Sequence, residues 1–361
     1  MTRQNTYVVI AVYSKKNVNF WPQSRKDRPK QFLDLFGNGR SLVQLAYERS
    51  KGICDVENIL FLIPKEYLSL LHQQIPDLSD DQILVEPVRR NSAPSIAYAC
   101  CKIKKKNANA IIAICPADQH IFGEIAYVRD IRRAVEYTWS DKNKLLIIGI
   151  KPHKPETSYN YIQYHYDTKA TVKKVKTFTK RPQSDLASLF IESGDFVWNT
   201  KTYVWHVDAI TDALKKYVPD VFEAFDEGSE NYYSDNEEHF VYQAFSHSNN
   251  VSISNSILEK ADNVYLLIGE FDWCGLSSWK SYYEKKDKDD NGNVLDGNAY
   301  IINSKDCLIK GSDQKLLVVE GLEGYQVIDS EDALLICPIE LSDKVKGLYG
   351  SLKGSKYDKY T

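Results

Sequence analysis

The strongest constraint on the fold is an alternation, through the first half of the chain, of short apolar runs with segments of helical spacing. Buried strands are predicted at residues 7–12, 59–63, 83–85, 110–114 and 145–150. Helices are predicted between them, at residues 41–50, 65–74, 94–105 and 124–139. Such alternation is typical of parallel strands with helices on both faces of one sheet. Ligands of these sheets bind beyond the carboxyl ends of the strands, so we expect a site after Val12, Val85, Ile114 or Ile150.

The second half of the chain has a different pattern. Polar and apolar residues alternate at 159–166 and 171–178, which predicts half-exposed strands, and helices are predicted at 183–192, 207–217 and 237–246 before a buried strand at 264–268. A polar run at 284–292 precedes short predicted strands at 300–302, 316–319, 325–328 and 334–337, and a helix after Ser342. We therefore expect one domain over residues 1–285 and a small β-rich module over residues 286–361.

Composition argues against several classes of protein. The 46 basic and 49 acidic side chains give a net charge of -3, which provides no field for binding nucleic acid or an anionic membrane. The lysines at 102–106 are predicted to be the solvated end of a helix. Seven cysteines without zinc spacing suit a reducing compartment, and the short N-terminal apolar run does not read as a secretion signal. We expect a cytoplasmic protein.

A set of short motifs occurs in a fixed order along the chain. They lie at residues 20–25, 29–33, 86–87, 90–94, 116–118, 149–152, 155–157, 198–199 and 259–262. In these motifs the chain resembles the bacterial mannose-1-phosphate guanylyltransferases, which convert GTP and mannose 1-phosphate into GDP-mannose and pyrophosphate. The resemblance spans roughly residues 7–285. It implies a Rossmann-like α/β nucleotidyltransferase domain of the GT-A type with a mostly parallel sheet, followed by the small β-rich module.

The resemblance also implies roles for individual residues. Nucleotidyl transfer relies on positioning and charge neutralisation more than on a protein nucleophile. Arg25 and Lys30 would face phosphates as the catalytic cations, and Asp118 would bind Mg²⁺. The nucleotide would lie against Glu86, Arg90, Asn91 and Ser92. For Arg25 and Lys30, surface salt bridges are an equally weighted alternative.

The phosphate-binding loop departs from the family pattern. The family has a G-G-x-G-x-R loop where this chain has residues 14–19, which contain no glycine and no arginine. Glycine permits positive φ and a close approach of backbone to ligand, whereas Val18 is stiff and branched. An alternative is that Lys15 and Lys16 bind the nucleotide's phosphates as point charges.

The metal site and the sugar site have also changed. Gly275 stands where the family has a second metal-binding aspartate, and Asp272 is the nearest other carboxylate in that segment. Asp118 alone would hold Mg²⁺ weakly or not at all. The predicted sugar-binding residues are Asn199, which matches the family, and Asn160 and Lys180, which stand where the family has a glycine and an acidic residue. Two further positions have changed: Lys201 replaces a glycine and Ser254 replaces an acidic residue.

Three hypotheses follow. The first is a working guanylyltransferase with an unusual loop. The second is a weak or inactive relative that serves as a nucleotide-binding, regulatory or partner subunit, either as a homodimer or as a heteromer with an active relative. The combined loss of phosphate, metal and sugar contacts favours this second hypothesis. The third is a shift to another nucleotide sugar or to a non-sugar anion, for which the positive charges are Lys15, Lys16, Lys180 and Lys201.

Overall fold

A computed structural model describes residues 3–13, 18–167 and 169–361 of the chain. Its Cα positions divide the chain into two compact units. The sheet unit contains Met1–Ser14, Val43–Ala117 and Ile121–Trp273, and the second unit contains Lys15–Leu42, Asp118–His120 and Cys274–Thr361. Among the described residues, no helix is long and apolar enough to cross a membrane.

In the described part of the chain before residue 275, the structure has eleven strands and eight α-helices. The strands are β1 (Thr6–Ala11), β2 (Ile59–Pro64), β3 (Ile83–Glu86), β4 (Ile111–Pro116), β5 (His120–Phe122), β6 (Leu145–Ile150), β7 (Tyr161–Tyr164), β8 (Val172–Thr179), β9 (Phe196–His206), β10 (Val264–Gly269) and β11 (Asp272–Cys274). The helices are α1 (Leu42–Ser50), α2 (Leu68–Gln74), α3 (Ser92–Lys106), α4 (Glu124–Ser140), α5 (Ser184–Ser193), α6 (Val207–Tyr217), α7 (Pro219–Asp226) and α8 (Glu237–His247).

The sheet unit is built on a nine-stranded sheet with the order β3-β2-β1-β4-β9-β6-β10-β8-β7. Strands β3, β2, β1 and β4 are mutually parallel, and β6 is parallel to β10. Strand β9 runs antiparallel between β4 and β6 and joins the two parallel groups. The predicted α/β fold class, with parallel strands and additional β-rich C-terminal strands, is confirmed.

The central strands are buried along their whole length. Every residue of β1, β2, β4 and β6 is buried, which explains why these strands read as continuous apolar runs in the sequence.

Helix α3 begins after Asn91, whose side-chain oxygen accepts a hydrogen bond from the Ser92 backbone N–H. One lysine of the predicted solvated run is an exception, because Lys102 is buried and its ammonium lies 2.5 Å from a carboxylate oxygen of Glu237.

The second unit contains the C-terminal strands. These are β12 (Val294–Asp296), β13 (Ala299–Ile302), β14 (Leu308–Lys310), β15 (Leu317–Glu320), β16 (Tyr325–Asp329) and β17 (Leu334–Pro338), with helices α9 (Trp279–Tyr283) and α10 (Val345–Leu352). Strands β12, β14 and β16 are parallel, β17 pairs antiparallel with β16, and β13 pairs in parallel with β15. The chain thus alternates between two small sheets around a core that includes Cys307, Ile309, Val319 and Val327.

A bulge interrupts the pairing of β6 with β9. The register jumps from the pair Ile148 and Thr202 to the pair Gly149 and Asn199, so Thr200 and Lys201 form the bulge. The Thr200 hydroxyl donates to the Ile148 carbonyl at 2.7 Å. Lys201 adopts a φ of 59°, in the left-handed region that disfavours residues with a Cβ atom.

Gly149, beside this bulge, packs closely against side chains of the neighbouring strands β9 and β10. A Cβ atom at this position would lie 2.4 Å from Cγ2 of Val197 and 2.8 Å from Cδ1 of Leu266, both buried core side chains. We predict that Gly149→Ala lowers the free energy of unfolding by about 1–3 kcal/mol because the core is overpacked. Urea unfolding measures the change. Gly347→Ala in α10 is the control, because its Cβ would meet no atom within 4 Å, and an equal loss in both variants would contradict the prediction.

Lys201 gives a second prediction about the same bulge. Replacing it with glycine removes the steric cost of the left-handed conformation, so Lys201→Gly should raise the free energy of unfolding by about 1 kcal/mol. Lys201→Ala retains the Cβ atom and should give no such gain. If Lys201→Gly and Lys201→Ala unfold at the same urea concentration, the left-handed backbone at this position does not lower the stability of the protein, and the prediction is wrong.

Candidate functional site

Lys30 and Asp118 are brought together in the second unit. The Lys30 side chain is only 2% exposed, and its ammonium lies 3.7 Å from a carboxylate oxygen of Asp118. The ammonium donates to the carbonyl oxygen of Leu276 at 2.8 Å and lies 3.4 Å from that of Gly275. This arrangement gives a buried cation the oxygen partners it requires. It also fixes the positive charge in one place.

Arg25, the other predicted cation of the phosphate site, forms a salt bridge within the second unit. Its Nη1 donates to Asp332 at 2.9 Å, its Nη2 contacts the other oxygen of the same carboxylate, and its Nε donates to the Pro22 carbonyl at 3.1 Å. The hydrogen bonds from Arg25 lower the pKa of the Asp332 carboxyl below its ordinary value. Bidentate pairing of this kind orients a guanidinium firmly.

Glu86 ends strand β3 in the sheet unit as a buried carboxyl. Among the contacts of the described residues, its Oε1 has no hydrogen-bond partner. Burial raises the pKa of Glu86 to about 7, and a hydrogen bond with the Ser95 side chain partly opposes this rise. A buried carboxyl with an unused oxygen is prepared to accept donors from a ligand, because an unsatisfied buried acceptor is costly.

The other predicted nucleotide residues make contacts within the sheet unit. The Arg90 guanidinium donates to the carbonyls of Phe245, Ser246 and Ser248, each at 3.0 Å, at the C-terminal end of α8. This is the helix end where a cation is favoured. The Ser92 hydroxyl accepts from the backbone N–H of Ile253 at 3.1 Å. Arg90 and Ser92 therefore hold the segment between β3 and α3 in place.

Asn160 and Asn199, two predicted sugar residues, are adjacent in the sheet unit. The Asn199 backbone N–H donates to the Asn160 carbonyl at 2.9 Å, and the Asn199 side-chain oxygen accepts from the Lys201 backbone N–H at 2.8 Å. Aromatic rings pack beside them. The ring of Tyr159 lies 5.3 Å from that of Trp198 and 4.7 Å from that of Trp273. Aromatic faces next to amide groups are a common wall of ligand pockets.

Two of the substituted sugar positions have partners of their own. The Lys180 ammonium lies 3.0 Å from a carboxylate oxygen of Glu259, which belongs to the motif at residues 259–262. The Ser254 hydroxyl lies 3.5 Å from the phenol oxygen of Tyr203. Burial raises the pKa of Tyr203 to about 12, so its hydroxyl stays protonated at neutral pH.

The residues present do not fit a divalent cation well. Among the described residues there is no group of three or more His, Cys, Asp or Glu side chains that could hold a metal ion. Mg²⁺ prefers several oxygen ligands at about 2.0–2.1 Å. Asp118 supplies one carboxylate, with the Lys30 ammonium 3.7 Å from it, and Gly275 supplies only a backbone carbonyl. The predicted phosphate ligands Lys15 and Lys16 lie outside the described residues.

Sequence reasoning did not identify two side chains that hold the predicted site residues. Asp332 binds Arg25 from 307 positions away, and Glu259 binds Lys180 from 79 positions away. Glu259 could have been found, since it lies in one of the ordered motifs and Lys180 replaces an acidic residue. For Asp332 no sequence signal existed, because it lies in the β-rich module outside the resemblance.

Curated relatives resemble nearly the whole chain. A mannose-1-phosphate guanylyltransferase from Escherichia coli is 31% identical over 348 residues, covering 94% of this chain and 72% of the relative. The corresponding protein of Klebsiella pneumoniae is 30% identical with the same coverage. The alginate biosynthesis protein AlgA of Pseudomonas putida is 29% identical, covering 92% of this chain and 68% of that protein.

The fold and a family profile agree with these relatives. The crystal structure of a mannose-1-phosphate geranyltransferase from Thermus thermophilus superposes with a TM-score of 0.86 at 22% identity, covering 97% of this chain and all of that one. The nucleotidyl transferase family profile matches residues 18–292. The chain therefore belongs to the nucleotidyl transferase family and, within it, to the mannose-1-phosphate guanylyltransferases.

Proposed function

We propose that this protein binds a guanine nucleotide and a mannose phosphate and joins them slowly or not at all. The reaction would be that of the family, GTP and mannose 1-phosphate giving GDP-mannose and pyrophosphate. The observation that carries the binding proposal is the buried, unused carboxylate oxygen of Glu86 at the end of β3. The carboxyl ends of parallel strands are where α/β sheets bind their ligands.

Glu86 would recognise the base. Guanine presents two adjacent N–H donors, and a carboxylate accepts a pair of donors with both oxygens. The segment that follows, which contains Asn91 and Ser92, would lie beside the ribose as the family resemblance implies. Arg90 would act through this segment, because its guanidinium already binds three carbonyls at the end of α8.

The sugar would contact the amide pair beside the aromatic rings. Asn199 and Asn160 offer amide donors and acceptors for sugar hydroxyls, and their backbones are joined by a 2.9 Å hydrogen bond. Lys180, paired with Glu259, would face an anionic group in preference to a neutral hydroxyl. A phosphate-bearing sugar therefore suits this composition better than a neutral one.

Two features support slow transfer: the predicted phosphate-binding cations already have partners within the protein, and Gly275 stands where the family has a second metal-binding aspartate. Arg25 is engaged by Asp332, and Lys30 is held by backbone carbonyls and Asp118. Nucleotidyltransferases of this family generally use a divalent metal to neutralise the phosphates, and the residues here fit such a metal poorly. Each lost contact to the transferred phosphate raises the barrier.

A catalytically inactive subunit is the alternative that the same contacts favour. Such a protein would bind nucleotide and regulate or partner an active relative, or form a homodimer. We propose a cytoplasmic location for either form, since all seven cysteines are free thiols and six of them are buried.

An assay of turnover distinguishes a slow guanylyltransferase from a catalytically inactive nucleotide-binding subunit. We expect pyrophosphate release from GTP and mannose 1-phosphate to be at least about 100-fold slower than that of the Escherichia coli relative assayed in parallel, because the loss of one transition-state contact commonly costs this much. GTP or GDP-mannose should still raise the melting temperature. Turnover equal to that of the relative would refute slow transfer, and the absence of any thermal shift would refute binding.

The proposed role of Glu86 predicts a pH dependence. With a pKa of about 7, the ionised fraction of Glu86 rises roughly tenfold between pH 6 and pH 8. Because the ionised carboxylate is the better acceptor for the base, guanosine should bind about tenfold more tightly at pH 8 than at pH 6. Guanosine is the suitable probe because it carries no titrating phosphate. Glu86→Gln should bind weakly with no change between these pH values, and a wild-type affinity that does not vary with pH would exclude this role.

A further inference from the structure

A cavity opens in the sheet unit at the carboxyl ends of β6 and β10. Its volume is about 520 Å³, within the range of roughly 300–1,000 Å³ that is usual for small-ligand sites. Ile150 and Leu267 form part of its wall, and the cations Arg133, Lys151 and Lys169 also line it. All of its lining residues belong to the sheet unit, and none of them is a predicted nucleotide, sugar or metal residue.

A short length of strand edge borders this cavity. Strand β10 pairs with β6 as far as Gly269, but on its other side β8 pairs only with residues 265–267. In the described part of the chain, Ile268 and Gly269 therefore have no strand beside them on that side, and both line the cavity. Backbone N–H and C=O groups at such an edge can bond the hydroxyl groups of a ligand.

A buried carboxylate holds the arginine of the cavity in place. Asp130 is completely buried, and its Oδ1 accepts from Nη1 of Arg133 at 3.3 Å and from Nε and Nη2 of Arg129 at 3.1 Å. Its Oδ2 accepts from the backbone N–H of Glu270 at 2.7 Å, which ties α4 to the end of β10. The Glu270 carboxylate lies 2.7 Å from Nη2 of Arg129. These two arginines and two carboxylates therefore balance in charge.

Two lysines give the cavity a surplus of positive charge. Lys151 and Lys169 are exposed, and neither has an ion-pair partner among the described residues. The backbone N–H groups of Lys169 and Ala170 donate to Oδ1 of Asp167, at 2.8 and 3.3 Å. The Lys173 ammonium donates to the Ala170 carbonyl and closes this turn. The surplus of two charges is thus carried partly by a turn that its own hydrogen bonds hold.

The charge and the walls of the cavity together define a class of ligand. Two surplus positive charges match a phosphate monoester, which carries a charge of about −1.5 to −2 at neutral pH. The free edge of β10 offers partners for hydroxyl groups. Among the described residues that line the cavity there is no aromatic side chain, so a nucleotide base would find no ring on which to stack. A sugar phosphate therefore fits better than a nucleotide.

We propose that this cavity binds the phosphate monoester of a small sugar, with Arg133, Lys151 and Lys169 around the phosphate and the edge of β10 beside the hydroxyl groups. The hydrogen bond to Asp130 uses one of the five N–H donors of Arg133 and leaves others for a phosphate. The two lysines act as point charges. This site shares no residue with the proposed nucleotide and sugar contacts, so it does not depend on the proposed function.

Acetylation of lysines by an N-hydroxysuccinimide ester, followed by mass spectrometry, tests the site residue by residue. Glucose 6-phosphate at about 10 mM should slow the acetylation of Lys151 and Lys169 at least about threefold, since bound ligand shields both ammonium groups. Lys215, an exposed lysine of α6, is the internal control and should react at an unchanged rate. Glucose, which has no phosphate, should protect neither lysine. Equal rates at Lys169 with and without glucose 6-phosphate would refute the site.

Calorimetric titration with glucose 6-phosphate measures what the two lysines contribute to affinity. We expect a dissociation constant on the order of 1 mM for the wild type and at least about tenfold weaker binding for the double variant Lys151→Ala with Lys169→Ala, because charge-assisted hydrogen bonds to the phosphate are lost. Both side chains are exposed, so the double variant should keep the wild-type melting temperature. Lys215→Ala is the matched control and should bind as the wild type does.

The variant Lys180→Ala distinguishes this cavity from the proposed sugar contacts. Lys180 does not line the cavity, so its removal should leave the affinity for glucose 6-phosphate unchanged. If binding instead disappears in Lys180→Ala and persists in the double variant, the phosphate lies at the proposed sugar contacts and the inference is wrong. Loss of GDP-mannose binding alone would count against the proposed function and not against this site.

Discussion

The architecture of the sheet unit depends on one antiparallel strand between two groups of parallel strands. Strand β9 pairs with β4 on one side and β6 on the other, and all of its residues except Lys201 are buried. Buried backbone groups need hydrogen-bond partners, so neither parallel group could keep its inner edge covered without this strand. The same strand carries Trp198 and Asn199. Its register therefore sets both the continuity of the sheet and the place of the proposed sugar contacts.

The sequence allowed the parallel strands to be predicted, but not this strand. Strands β1, β2, β4 and β6 are apolar runs, and their predicted positions agree with the structure within two residues. Strand β9 contains the polar stretch Asn199–Thr202, which resembles a loop when it is judged by hydropathy. Thr200 and Thr202 are nevertheless buried, because the Thr200 hydroxyl bonds the Ile148 carbonyl and accepts from the Thr202 backbone N–H. A local bulge that satisfies its own polar groups cannot be recognised from periodicity.

In the candidate site, too, some features could be predicted from the sequence and others could not. The motifs indicated which residues to consider; of the retained ones, Glu86 ends strand β3 and Asp118 follows the end of β4 by two residues. The partners of the cations could not be predicted, since a pairing such as Arg25 with Asp332 arises only from the folded arrangement of distant segments. Lys102 is a further example: in the sequence it belongs to a polar lysine run, yet its ammonium pairs with Glu237 in a buried position.

The internal partners also determine which cations can serve a ligand. The ion pair between Lys180 and Glu259 is half exposed, so water and salt weaken it and an anionic ligand can displace the carboxylate at small cost. Lys30 is different, because moving its buried ammonium away from its carbonyl partners would leave an unpaired charge in the interior. In the proposed function, a ligand phosphate would therefore have to come to Lys30. A charge fixed in this way would bind phosphate without reorganisation, but as a single charge it would neutralise less of the charge that develops during transfer than a divalent ion would. The proposed combination of nucleotide binding and slow transfer would follow from that difference.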